Sequence, residues 1–291
     1  MSGEWHSAGV ERIIYFSDIK DAPAEAEALL AGQVAQQGFQ HSLPWFRLLA
    51  HSCFGPELRT RFLAWPDAEP GFLALRDAGR EALLPGLREL RSLTTMYSTE
   101  YGGGLSAADL PARLAGLADV GGPVDLVHLD SVAITPEQLR GWKESAHAHG
   151  MQILAYDGFE NWFERVAGDD FDSYWARRPG RLRSTARRKL KKAEIRHRLC
   201  FRYSRGDGDL EALIDSYLGI YARSWKDPEP HPDFTPGLVR EAARAGALRM
   251  GVLEFDDQPV AAQIWLVSAG RATIFKLAYD DAAGDLSPGT L

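Results

Sequence analysis

Sulfur is scarce in this chain. Two cysteines and four methionines occur in 291 residues. Cys53 and Cys200 lie far apart and form no Cys-x-x-Cys pair, which excludes a disulfide framework and a thiolate metal knuckle and points to a reduced, cytoplasmic setting. No apolar run approaches the ~18 residues of a membrane span. The N-terminal residues Met1 to His6 offer neither a basic region nor an apolar core, so no signal peptide is expected. Gly102-Gly103-Gly104 has no Gly-Lys-Ser/Thr sequel; a plain loop and a phosphate cradle both stay open there. His147 and His149 stand two apart on a predicted helix and point to different faces, so no metal site is expected.

Acid is missing from one stretch. Residues 177–198 hold eleven arginines and lysines against the single acid Glu194. That island carries +10, which leaves −17 for the rest of a chain whose formal net charge is −7. A basic island on an acidic protein points to a local anion site, not to general nucleic-acid binding. Three readings stand open for it: a solvated helix face, a site for phosphates of a small ligand, and a contact with tRNA. Aromatic residues that would stack bases are absent between Arg177 and Arg198, which disfavours the last.

Hydrophobic residues make up 45% and charged residues 25%, ordinary values for a globular protein of about one or two domains. The periodicities predict a strand over 11–16, helices over 23–37 and 44–54, and a hairpin of 58–64 with 71–76 across the turn Pro66 to Pro70. Residues 94–100 and 124–132 read as extended and 109–120 as helical. Thr135-Pro136-Glu137-Gln138 is a capping box with proline at the first helical position, opening a helix that ends before Gly150. Residues 151–156 read as a strand. Residues 157–168 read as a linker, with Asn161, Trp162 and Phe163 packing on one half. A long helix over 171–195, broken at Pro179-Gly180, carries a stripe of Leu182, Ala186, Leu190 and Ala193. A strand over 200–204, a helix from Leu210 and a proline-held loop from Pro228 to Pro236 follow, then a helix over 237–245.

The remaining segment, 247–291, is three apolar runs separated by Asp256-Asp257-Gln258-Pro259 and Ala269-Gly270-Arg271, the pattern of an antiparallel meander. It ends in an acidic loop and Ser287-Pro288-Gly289, which reads as a helix start with Ser287 as N-cap. A strand feeding a helix N-terminus is a ready phosphate site. With Ser224-Trp225-Lys226-Asp227-Pro228-Glu229-Pro230, Pro259-Val260-Ala261-Ala262-Gln263 and Lys276-Leu277-Ala278-Tyr279-Asp280, this arrangement resembles the GNAT superfamily of acyltransferases, and more closely its FemAB-like, CelD/BioF-type (acetyltransferase-6-like) branch. The first half resembles the branch only loosely, at Tyr97-Ser98-Thr99-Glu100-Tyr101.

The resemblance implies an α/β fold with a mixed sheet, built as two GNAT-like halves, 1–165 and 166–291, in a double acyl-CoA N-acyltransferase fold. The second half is expected to be incomplete at its C-terminus, because the family continues past the point matching Leu291. It implies transfer of an acyl group from acetyl-CoA or a longer acyl-CoA, without a metal, to a small amine acceptor, nucleotide- or lipid-linked, in envelope, polysaccharide or lipid metabolism. Two alternatives accompany it: a degenerate module that grips CoA or another anion, and an aminoacyl-tRNA-dependent transferase.

Such chemistry needs a base, a polarised carbonyl and alignment. Glu229 is the first candidate base and His231 the second, both in the proline-held loop. Tyr279 reads either as the proton donor to the leaving thiolate or as a buried aromatic. Trp225 reads either as a substrate contact or as the core anchor of the loop. Lys226 and Lys276 are candidate substrate contacts, Lys276 on a strand face shared with Ile274 and Ala278; an edge-blocking lysine is the plainer reading. Tyr97 and Tyr101 enter as substrate contacts through the resemblance alone. Gln263, Ser287, Gly289 and Thr290 are assigned to the co-substrate by the same route, and Arg187 and Arg188 by the basic island.

Overall fold

The structure, a computed structural model, describes residues 3–5, 13–66, 70–102, 110–117, 122–166, 168 and 170–291. The start of the first predicted strand at Glu11, the turn residues 67–69, Gly103, Gly104, and both ends of the predicted 109–120 helix lie outside the described residues. The chain divides into two compact units, Met1–Glu160 and Asn161–Leu291.

The first unit is built on a six-stranded sheet in sequence order: β1 (Gly3–Trp5), β2 (Ile13–Phe16), β3 (Thr60–Trp65), β4 (Gly71–Asp77), β5 (Glu89–Ser92) and β6 (Leu126–His128). Pairings through β5 are antiparallel, and β5–β6 is parallel. The helices are α1 (Ala24–Gln37), α2 (Leu43–Ser52), α3 (Leu110–Ala115) and α4 (Pro136–Ala148). Strands β3 and β4 are buried on both faces, and the rings of Phe62 and Phe72 meet Phe16 at 5.1 and 6.3 Å. Gly38 stops α1 at φ 104°, a conformation that costs any side chain. The capping box of α4 forms as the sequence predicts, Gln138 N–H donating to Thr135 Oγ1 at 3.2 Å and Thr135 N–H to Gln138 Oε1 at 2.9 Å.

Several expectations fail in this unit. Residues 94–100 are not extended: Ser98 N–H donates to Thr95 O at 2.9 Å while Ser98 Oγ accepts from Thr95 N–H at 3.2 Å. Short hydroxyl side chains thus offer the backbone a turn in place of a ladder. Strand β6 keeps only three residues of the predicted nine, and Ser131 lies at φ 62° just beyond it. Residues 151–156 form no strand, and Leu154 and Tyr156 are exposed; a short apolar run supplies no ladder partner of its own.

The second unit is a four-stranded antiparallel sheet in the order β10-β9-β8-β7, with β7 Leu199–Ser204, β8 Leu248–Phe255, β9 Gln258–Ser268 and β10 Arg271–Tyr279. Helices α5 (Phe171–Ala176) and α6 (Gly180–Arg196) precede it, and α7 (Leu210–Ala222) and α8 (Phe234–Arg244) join β7 to β8. Helix α7 is capped by Asp209, whose Oδ1 accepts from Ala212 N–H at 3.0 Å, and buries Leu213, Ile214, Tyr217 and Ile220. Facing them, Leu248, Met250, Val252, Ala262, Ile264 and Leu266 are buried, as period-2 alternation requires.

Four corrections belong here. Trp162 is 97% exposed and Phe163 is exposed too, so neither packs on the unit. In the basic helix α6 only Ala193 of the predicted stripe is buried. Helix α8 begins at Phe234 and takes Pro236 into its first turn, where the missing N–H has no intrahelical role. No helix starts at Ser287. A 3-10 turn, Asp281–Leu286, ends on it, and Ser287 sits left-handed at φ 54°, donating its N–H to Gly284 O at 3.0 Å. An N-cap needs extended backbone, and Ser287 does not have it.

Candidate functional site at the edge of the second unit

The loop after α7 is fastened to the sheet at both ends of the β9–β10 hairpin. Arg223 donates from Nε to Asp280 Oδ2 at 2.6 Å and from Nη2 to Pro259 O at 2.8 Å. The guanidinium beside it holds the Asp280 carboxyl below the usual carboxylate range, with burial opposing and the Ala282 N–H adding to the effect. Ser224 Oγ donates to Tyr221 O at 2.7 Å, and Tyr221 Oη donates to Asp227 O at 2.9 Å. Prolines 228, 230 and 232 leave the loop little entropy to lose.

Inside this frame the structure brings three predicted residues together. Lys276 Nζ lies 2.5 Å from Glu229 Oε1, and the two side chains are only 14% and 8% exposed. Lys226 Nζ donates to Leu277 O at 2.5 Å and lies 5.8 Å from the centre of the Tyr221 ring. Burial pushes the Lys226 ammonium down, and the Lys276 charge pushes it further, against the pull of Glu229. The Tyr221 hydroxyl is held above its ordinary value by burial first, then by the charge of Glu229 and a hydrogen bond to it. A buried carboxylate thus sits among two ammonium groups and a phenol on an edge strand.

Lys276 reaches this place through a bulge. The β9–β10 register slips between Ile274, opposite Trp265, and Lys276, opposite Ile264. Phe275 is the extra residue, and its ring lies 6.3 Å from that of Phe234. Lys276 therefore shares a face with Phe275 and Ala278, not with Ile274 as strict alternation predicts. A bulge re-aims a side chain, and nothing in the local sequence marks it.

Other predicted residues lie elsewhere. Tyr279 is on the opposite sheet face, opposite Ala261 in the register, against Gly289. Gln263 is on that face too: its amide accepts from Trp265 Nε1 at 2.8 Å and donates toward Gly289 O at 3.5 Å. Ser287, Gly289 and Thr290 belong to a turn closed by Thr290 N–H to Ser287 O at 2.9 Å, so the phosphate-holding helix start expected there is not formed. Trp225 is 66% exposed and is no core anchor. His231 is half-buried, and its carbonyl accepts from Phe234 N–H at 3.0 Å at the start of α8. In the first unit, Tyr97 and Tyr101 are buried; Tyr101 Oη donates to Ala74 O at 2.5 Å, and burial pushes its hydroxyl up.

The cations of the basic island meet different acids, Arg178 pairing with Glu164 and Arg198 with Asp257. Lys192 and Arg196 both meet Asp285 Oδ2 at 2.9 Å, and Lys189 donates to Asp285 O. These cations fasten α6 to the 3-10 turn. Arg187 and Arg188 are exposed. Sequence reasoning missed Arg223, Tyr221 and Asp285; their partners are 57, 6 and about 90 residues away, so no local pattern signals them except the tight Tyr221–Asp227 spacing.

No group of three or more His, Cys, Asp or Glu among the described residues could hold a metal ion. No helix among them is long and apolar enough to cross a membrane. Residues 180–291 match the family model described as an acetyltransferase (GNAT) domain. The match covers 112 of the 291 residues, and domains of that family use acyl-CoA as co-substrate. No curated protein matches the chain.

Proposed function

We propose that the protein transfers an acyl group from acetyl-CoA or a longer acyl-CoA to an amine, as a FemAB-like, CelD/BioF-type member of the GNAT superfamily built from two GNAT-like halves. One observation carries the reading to particular residues. Within the segment that matches a GNAT domain, the carboxylate expected as base is buried at the edge strand and held by Lys276 at 2.5 Å. A carboxylate offers about four acceptor positions, so Glu229 can accept from Lys276 and from the N–H of an incoming neutral amine together.

In this reading Glu229 takes the proton of the acceptor amine. The nitrogen forms the bond to the thioester carbonyl carbon, the carbon–sulfur bond breaks, and the thiolate leaves with the proton Glu229 has gained. Lys276 keeps the carboxylate oriented, and Lys226 fixes the loop to β10. His231 is the second candidate base. Tyr279, on the other face, is set aside from the proton transfer. The acceptor is a cytoplasmic amine, nucleotide- or lipid-linked, of envelope, polysaccharide or lipid metabolism. Arg187 and Arg188 are assigned to CoA phosphates.

One observation favours a second reading, a module that grips CoA or another anion without chemistry. Ser287 sits left-handed at φ 54°, not in the extended backbone of an N-cap that would hold a phosphate. Thiol release from acetyl-, hexanoyl- and palmitoyl-CoA, measured with and without a panel of amino sugars and diamines, separates the two. Amine-dependent release supports the transferase. Saturable CoA binding with no release from any pair establishes the module.

A further inference from the structure

The Glu229 centre contains one group to which the acyl transfer above gives no part. Tyr221 lies in the last turn of α7, the helix that Leu213, Ile214, Tyr217 and Ile220 hold in the core. Its ring is 5.9 Å from that of Tyr217, one turn back, and 5.8 Å from Lys226 Nζ. The ring is thus fixed from two sides. Rotation of the O–H about its own C–O bond stays open.

A phenol has one proton to give, and here two acceptors compete for it. Asp227 O lies 2.9 Å from Tyr221 Oη. The Glu229 carboxylate is within hydrogen-bond reach of the same hydroxyl. Burial and the Glu229 charge hold the phenol above its ordinary value, so it keeps that proton at neutral pH. The two acceptors are not alike. Asp227 is exposed, so water can take over its carbonyl when the phenol turns away. Glu229 is only 8% exposed and depends on donors from the protein. Lys276 faces it from β10 and Lys226 from its own loop, while the Asp227 carboxylate adds its charge at Tyr221.

We propose that the Tyr221 hydroxyl is a two-position donor that follows the charge of Glu229, turning to the carboxylate while Glu229 is ionised and to Asp227 O once Glu229 carries a proton. In the first position Glu229 accepts from the phenol as well as from Lys276. In the second, the Glu229 O–H donates to the phenol oxygen, and the phenol proton goes to Asp227 O. Only O–H bonds rotate, and every proton has an acceptor in both states. Tyr221 is therefore a positioning residue. It favours the ionised carboxylate that can take up a proton and still gives the protonated form a partner. Its part in catalysis rests on the acyl-transfer reading; the exchange of hydrogen bonds does not.

NMR titration of the full chain labelled with carboxyl-13C glutamate reads the exchange without turnover, the Glu229 signal being identified by its loss in Glu229→Gln. A hydrogen bond to the charged form lowers the pH at which a carboxyl titrates. Tyr221→Phe is expected to raise that pH for Glu229 by about one to two on the pH scale. Arg223→Met loosens the same loop at a different anchor and is expected to leave the Glu229 titration in place. No rise in Tyr221→Phe, or an equal rise in both variants, would overturn the proposal and make Tyr221 a loop anchor. The second arm is the pH dependence of acyl transfer. Its ascending limb is expected to move to higher pH in Tyr221→Phe, in step with the NMR titration. A limb that stays in place while the signal moves would remove Tyr221 from the reaction. Failure of the wild type to transfer any acyl group would sink the acyl-transfer reading alone, and the NMR arm would still decide the exchange.

Discussion

Two stretches of the second unit carry the family-like words, and they fold to different ends. Ser224 to Pro230 becomes a built site: its charged groups meet partners on β10, and Arg223 pins it to Asp280 and Pro259. Ser287 to Leu291 becomes a single turn on the end of a 3-10 segment, with Ser287 left-handed. Both read equally well as sequence. The difference is that the first has tertiary partners dictated by opposite charge, whereas the second depends on backbone conformation at one residue. Charge in a buried setting is specific because leaving it unpaired is costly. A cap is worth only about 1 kcal/mol and yields to the geometry of the turn before it.

The sharpest way to break this comparison is to leave the built site with an unpaired charge. Lys276→Met is expected to destabilise the second unit by up to about 3 kcal/mol, because it removes the ammonium that touches the Glu229 carboxylate and leaves Lys226 as its nearby cation. The double variant Glu229→Gln, Lys276→Met is expected to recover much of that loss in denaturant melts. Equal melting midpoints for wild type and Lys276→Met would show that the pair is solvated in practice.

A smaller effect is expected on the exposed cations. Changing Arg187, Arg188 and Lys191 together to Ala should weaken binding of CoA between about three- and hundredfold without changing the melt. Filter binding of tRNA across salt is the companion measurement, since neutralising several single-strand phosphates gives a slope of about −0.7 per phosphate. Tight tRNA binding lost in that triple variant would replace the small ligand with an aminoacyl-tRNA donor.

The Arg223 clamp is weaker again. Arg223→Met should cost about 0.2–1 kcal/mol at neutral pH, the range for a partly exposed pair. The Asp280 carboxyl is depressed in the folded state, so its contribution is present above the unfolded value of about 3.9 and is lost as pH falls through the lower folded value. The stability gap between wild type and Arg223→Met should therefore close in acid; a constant gap from pH 7 to pH 2 would assign it to packing alone. Smallest of all, Ser287→Ala should change stability by less than about 0.5 kcal/mol, because no helix depends on it as a cap. A loss near 2 kcal/mol would restore the N-cap reading.

Much of the architecture is legible in the residues. Period 3.6 from Leu210 to Tyr221, the Thr135 capping box and the turns at Asp256-Asp257 and Ala269-Gly270 all predict elements that form. What is not legible is partnership. Residues 151–156 are a short, mostly apolar run that reads as a strand and have no ladder to join. Glu229 and Lys276 are nameable as site residues from type and context, yet 47 positions separate them, and a bulge at Phe275 decides that Lys276 faces Glu229 at all. The basic island looks uniform in sequence, but Glu164, Asp285 and Asp257 each take up part of it and Arg187 and Arg188 are left exposed.

The central claim is that Glu229 moves the proton of the acceptor amine while Lys276 holds it in place. The direct measurement is single-turnover acyl transfer by Glu229→Gln, with acyl-CoA affinity determined on the same protein. The account predicts a rate lower by about 10²–10⁴-fold and an acyl-CoA dissociation constant nearly unchanged. Wild-type turnover in that variant would contradict it and move the base to His231.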